Sequence, residues 1–199
     1  MIEKAKEVKP NYPEISSGHL GPLIFGPQAV TIQEHLDDAI AKGAEVAVGG
    51  KITNNGGNWC DATVLLKVDH SMKVMMEETF GPILPVMPFE TEAEAVSLSN
   101  DSPFGLSASV FAGTVEEAEA VAYQINAGAV CINDASLTAF VQEAENDPFG
   151  SSGMGRSRMG PSALQRFFRT KAIMVNTGDQ PRSIDMSGEK PQGPPPAAK

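Results

Sequence analysis

The chain is constrained most by a run of alternating strand and helix signals between residues 83 and 133. Ile83 to Phe89 is apolar and reads as a strand. Thr91-Glu92-Ala93-Glu94 then spells a capping box, in which the Thr hydroxyl accepts a backbone N–H three residues on and the Glu reaches back. The helix it opens runs to about Asn100, and Pro103-Phe104-Gly105 turns the chain into a strand over Leu106 to Phe111. Thr114-Val115-Glu116-Glu117 is a second capping box, and Ala118, Val121, Ala122 and Ile125 give its helix one apolar face. Gly128 follows, and Ala129-Val130-Cys131-Ile132 is a third strand. Strands joined this closely through helices pair in parallel by right-handed crossovers. The expected fold class is therefore α/β, a parallel sheet with flanking helices.

The flanks are less regular. Residues 1–17 are polar, contain Pro10 and Pro13, and read as a lead-in rather than a packed element. Ala29, Ile32, Leu36, Ala39 and Ile40 recur at helical spacing, with Gly43 placed to end that helix. Val46-Ala47-Val48 and Thr63-Val64-Leu65-Leu66 are short strands on either side of an Asn54-Asn55-Gly56-Gly57 turn. Beyond Asn133 the chain turns irregular and glycine-rich, and Pro161 suits the first turn of a short helix over Ser162 to Phe168. Ala172-Ile173-Met174-Val175 is a last apolar strand with no helix behind it to cover it. Residues 176–199 hold five prolines, no aromatic residue and three acids against three bases, so a disordered tail is expected there. The packed domain is thus expected over 18–175.

Composition narrows the partners. A formal charge of −10 over 199 residues argues against nucleic acid or an anionic membrane. No apolar run reaches the ~18 residues of a membrane span, and the mixed-charge start Met1-Ile2-Glu3-Lys4-Ala5-Lys6-Glu7 lacks a secretory pattern. Two cysteines are no disulfide framework, so a cytoplasmic setting is expected. The charge is uneven: residues 69–147 carry 14 acids against Lys73 alone, whereas Arg156, Arg158, Arg166, Arg169 and Lys171 follow with no acid between them. Either the acids are solvated helix faces, or the basic segment meets that surface.

The candidate chemistry is sparse. Cys60 stands beside Asp61, whose charge raises a thiol pKa, and Cys131 lies in an apolar strand, so both read as buried structural thiols. His19, His35 and His70 are isolated, which leaves no metal-ligand spacing. Gly150-Ser151-Ser152-Gly153-Met154-Gly155 lacks the strand-to-helix setting of a nucleotide loop. Glu77-Glu78-Thr79-Phe80-Gly81-Pro82 stands out, because two carboxylates and an aromatic ring feed directly into a strand. A carboxylate there can accept hydrogen bonds from two vicinal hydroxyls, such as those of a ribose. The residues alone favour one Glu being solvated and the other capping the turn.

That hexapeptide resembles the Glu-Glu-x-Phe-Gly-Pro motif of the NAD(P)-dependent aldehyde dehydrogenase superfamily. Gly21-Pro22-Leu23-Ile24 with Gln28, Asp38 to Ala44, Gly49-Gly50, Asn100-Asp101-Ser102-Pro103-Phe104-Gly105-Leu106, Gly128 to Asn133, and Pro148-Phe149-Gly150 with Ser152 to Arg156 follow in that family's order. The similarity spans about residues 18–175, the C-terminal portion of the family's catalytic domain. It implies that Glu78 binds the hydroxyls of the nicotinamide ribose and that Phe80 packs near the nicotinamide. It further implies that residues 172–175 extend into a neighbouring subunit, giving a homo-oligomer.

The family oxidises an aldehyde to a carboxylic acid: a cysteine thiolate attacks the carbonyl, hydride passes to NAD or NADP, and water releases the acid. A full member is more than twice this length, and its dinucleotide domain, catalytic cysteine, general-base Glu and oxyanion Asn precede the region resembled here. No catalytic residue is therefore expected in this chain, and alone it should be inactive and bind NAD weakly. Two other readings stay open: a non-catalytic assembly module, or one half of a split dehydrogenase completed by a chain carrying the cofactor domain. Ser151 alone stands where the late motif normally has a longer stretch with a lysine, near the family's substrate entrance.

Overall fold

The computed structural model describes residues 1–156 and 159–175. It opens on helix α1 (Ile2–Glu7), where the polar composition suggested only a lead-in. Ile2, Ala5 and Val8 are half-buried there, because three apolar residues at helical spacing suffice for one turn to pack. A strap over residues 9–20 is tied by the amides of Asn11 and His19, which donate to Leu20 and Lys9 carbonyls at 2.8 and 2.7 Å.

Helix α2 (Gln28–Ala41) buries Ile32, His35, Leu36 and Ala39, a stripe at three- and four-residue steps. Gly43, at φ +101°, then reverses the chain in a conformation that glycine adopts without strain. Strand β1 (Glu45–Val48) follows, then a hairpin of β2 (Ile52–Asn54) and β3 (Asn58–Cys60) around the Asn55-Gly56-Gly57 turn. Trp59 in β3 reaches the strap: its Nε1 donates to Asn11 Oδ1 at 3.0 Å, and its ring lies 5.1 Å from that of Tyr12.

Strand β4 (Thr63–Leu66) is the centre of the main sheet and is buried from Thr63 to Leu65. It pairs antiparallel with β1 and, beyond the short helix α3 (Lys73–Met76), parallel with β5 (Ile83–Val86), in register Thr63↔Ile83 to Leu66↔Val86. The core lies between this sheet and α2 and is built from Ile32, Leu36, Ala39, Cys60, Leu65, Val68, Met72 and Val74.

The second half contains α4 (Glu92–Asn100), β6 (Phe104–Gly105), β7 (Ser107–Val110), α5 (Val115–Ala122), β8 (Ala129–Ile132), α6 (Leu137–Phe140) and β9 (Phe149–Gly150). The α/β class stands, and β7 pairs parallel with β8 as the crossover pattern requires. The sheets are mixed, with parallel and antiparallel pairs. Strand β5 pairs with β4 and not with β7, and β1 adds an antiparallel edge. The strand–helix alternation specifies direction and handedness, not which strands are neighbours, and β4 offers β5 an apolar neighbour. The Thr114 box is complete, whereas Glu94 turns to the Glu90 amide instead of its own cap.

Residues 163–167 form a 3-10 turn within the expected helix. Residues 172–175, expected as a strand, join no ladder among the described residues, and Ile173, Met174 and Val175 are exposed. A strand needs a partner for its backbone groups, and none of the described residues pairs with this run. Of the basic segment, Arg156 stands 4.0 Å from Glu145, and Arg158 lies outside the described residues, as does the tail 176–199.

Candidate functional site

Residues 77–82 connect α3 to β5, and α2 supports them from below. Gln28 Nε2 donates to the Thr79 carbonyl. His35, only 2% exposed, brings Nδ1 to 2.9 Å from Thr79 Oγ1 and Nε2 to 3.4 Å from Glu77 Oε2. Gly81 lies flat on the helix, since a Cβ there would stand 2.6 Å from Ile32 Cδ1. The Ile83 and Thr63 amides donate to the Gly81 and Pro82 carbonyls at 2.8 Å each, locking the loop's exit to β4.

Glu78 and Phe80, the two expected cofactor residues, are both exposed on this pinned loop. Glu78 is exposed and makes no hydrogen bond or ion pair among the described residues. Phe80 is 78% exposed and holds φ +48°, a left-handed backbone that a bulky residue enters only when its surroundings impose it. Thr79 on one side and Gly81-Pro82 on the other supply that imposition. The ring borders a groove of about 600 Å³ lined by Leu20, Leu23, Phe25, Gln28 and Pro82.

The rest of the chemistry is quiet. Burial, then the neighbouring Asp61 charge, pushes the Cys60 thiol up to about 11, so the protonated thiol is its main form at neutral pH. Cys131 is also buried. Among the described residues no group of three His, Cys, Asp or Glu is placed to hold a metal. No helix among them is long and apolar enough to cross a membrane.

These residues fit one end of a nicotinamide dinucleotide. A free carboxylate suits vicinal ribose hydroxyls, and an exposed ring beside it suits a flat base. The glycine-rich run from Gly150 begins in the two-residue β9 and opens no helix over residues 151–156, so it lacks the helix N-terminus that would hold a pyrophosphate. Sequence reasoning missed His35 as part of the site. Its signal was its position, on the stripe set by Ile32, Leu36 and Ala39, where a polar ring must find a partner.

The fold is an α/β domain that presents a carboxylate and an aromatic ring on the loop entering a parallel strand. The aldehyde dehydrogenase family profile matches residues 1–173, and the chain belongs to that family. It is 40% identical over 139 residues to glutarate-semialdehyde dehydrogenase of Pseudomonas putida, covering 68% of this chain and 28% of that protein. Against betaine aldehyde dehydrogenase of Cereibacter sphaeroides it is 33% identical over 181 residues, 89% of this chain and 36% of the relative.

Among solved structures, betaine aldehyde dehydrogenase from Staphylococcus aureus in complex with NAD+ superposes with a TM-score of 0.79 at 34% identity. That match takes in 90% of this chain and 36% of the other. PutA of Anabaena variabilis, assigned to the aldehyde dehydrogenases, gives 0.84 at 50% identity over 92% and 40%. The chain thus spans about a third of the length of the curated relatives it matches.

Proposed function

We propose that the chain is the C-terminal portion of an NAD(P)-dependent aldehyde dehydrogenase, and that Glu78 and Phe80 hold the nicotinamide riboside end of the cofactor. One observation carries the reading: on a loop otherwise pinned to α2 and β4, the two side chains left free are a carboxylate and an aromatic ring. Bound NAD(P)+ supplies the hydride acceptor for oxidation of an aldehyde to an acid. Glu78 accepts the ribose hydroxyls, Phe80 limits how the nicotinamide ring turns, and the apolar groove beside them excludes water. Both cysteines are buried, so the attacking thiolate comes from outside residues 1–199. By itself the chain binds NAD+ weakly and turns over no aldehyde.

Amide NMR of the labelled chain during an NAD+ titration tests the cofactor role. Shifts centred on Glu78 and Phe80, weakened by Glu78→Gln, are expected; a titration that leaves both residues unmoved refutes it.

A second reading, assembly through the last apolar run, draws on the exposure of Ile173, Met174 and Val175 without a strand partner. That run would add to a sheet edge of a second copy, or of a complementary chain carrying the cofactor domain. Light scattering after size exclusion is expected to give a defined oligomer that Ile173→Lys dissociates. A monomer refutes self-assembly.

A further inference from the structure

We propose that His35 is a positioning residue that selects which of two adjacent carboxylates, Glu77 or Glu78, is offered to the ribose; this rests on the ribose reading of Glu78. The contacts of residues 77–81 alternate. Glu77, Thr79 and Gly81 each meet α2, at His35, at Gln28 with His35, and at Ile32. Gln28, Ile32 and His35 are spaced four and three apart and therefore share one helix face. Glu78 and Phe80 carry no bond to that face and are exposed.

Glu77 and Glu78 are the same chemical group, so nothing in their composition decides which one meets a ligand. A slip of one residue along this loop would put Glu77 in the place of Glu78 and Phe80 in the place of Gly81, against Ile32. The slip is opposed where the fixed side is read specifically. Gln28 reads only a backbone carbonyl, and Ile32 only the absence of a side chain. His35 reads two side chains at once, and its buried ring cannot follow a slip. Its Nε2 faces the Glu77 carboxylate and its Nδ1 the Thr79 hydroxyl, so the two ring nitrogens are both engaged.

The full-length chain, titrated with NAD+ and followed at the Glu78 and Phe80 amides, tests this. His35→Ala and Thr79→Val are each expected to shift those amides before ligand is added and to weaken NAD+ about tenfold, the worth of a lost positioned hydrogen bond. Thr79→Ser, which keeps the hydroxyl, should bind like the parent. In a Glu78→Gln background His35→Ala should cost nothing more, because the carboxylate it positions is gone. Thr79→Val leaves the His35 ring in the core and carries the test if His35→Ala does not fold.

Loss of affinity with Glu78→Gln but not with Thr79→Val or a folded His35→Ala overturns the positioning role alone. So does a His35→Ala effect that persists in full without the Glu78 carboxylate. If the parent chain shows no response at Glu78 and Phe80, or Glu78→Gln binds equally well, the ribose reading fails and this inference falls with it.

Discussion

Cys60 shows how one neighbour and one environment settle what a residue can do. It sits in the core at 2% exposure, beside Asp61, and its thiol is pushed up to about 11. At pH 8 it stays protonated. A thiol-specific chromogenic reagent should therefore label neither cysteine in the folded chain and both once urea is added; rapid labelling of Cys60 in the native state would contradict its burial. The same residue-scale logic explains what was legible beforehand. The Asp next to Cys60 was visible in the sequence, and so were the paired carboxylates and ring of residues 77–80. The partners of those groups were not. His35 is 42 residues from Glu77 in the chain, and nothing local links the helix that carries it to the loop it braces.

At the scale of elements, capping residues and glycines carried most of the information. Thr114 and Glu117 satisfy each other's backbone amides, so Thr114→Ala should cost about 1 kcal/mol of folding stability, read as a lower urea midpoint at unchanged slope. Helix α2 is joined to α3 through Asp38, which meets Lys42 Nζ at 2.7 Å and accepts from the Lys73 amide at 2.8 Å. The Lys42 hydrogen bond, then the Lys73 amide, holds this carboxyl below the usual aspartate range. A depressed folded-state value favours folding above the unfolded value of about 4. That contribution drains away as pH falls through the lowered one. Asp38→Asn should therefore flatten the acid limb of the stability profile, measured as urea midpoints from pH 7 downward; an unchanged limb would show that the carboxylate carries none of it.

The elements least legible were those with no local signature. Strands β2 and β3 are three residues each, and β6 and β9 two, so they exist only through their pairings. The close crossing of Gly128 on the 147–148 backbone is likewise invisible in sequence. A Cβ there would stand 2.2 Å from the Asp147 carbonyl oxygen.

The whole molecule is an acidic domain whose sheet is divided and whose last apolar run is bare. Alternation of strand and helix was enough to give the α/β class, because that pattern admits few connections. Sheet order was not, since β4 competes for β5 through packing that no window of sequence encodes. The family match covers residues 1–173 but only about a third of the relatives' length, and both cysteines are buried. Everything about catalysis turns on that combination. The most direct test is a spectrophotometric assay of NAD+ and NADP+ reduction by the purified chain over a panel of aliphatic, semialdehyde and betaine-type aldehydes. No turnover above the uncatalysed rate is expected, alongside weak NAD+ binding centred on Glu78; sustained reduction by the chain alone would contradict the proposal that its nucleophile lies elsewhere.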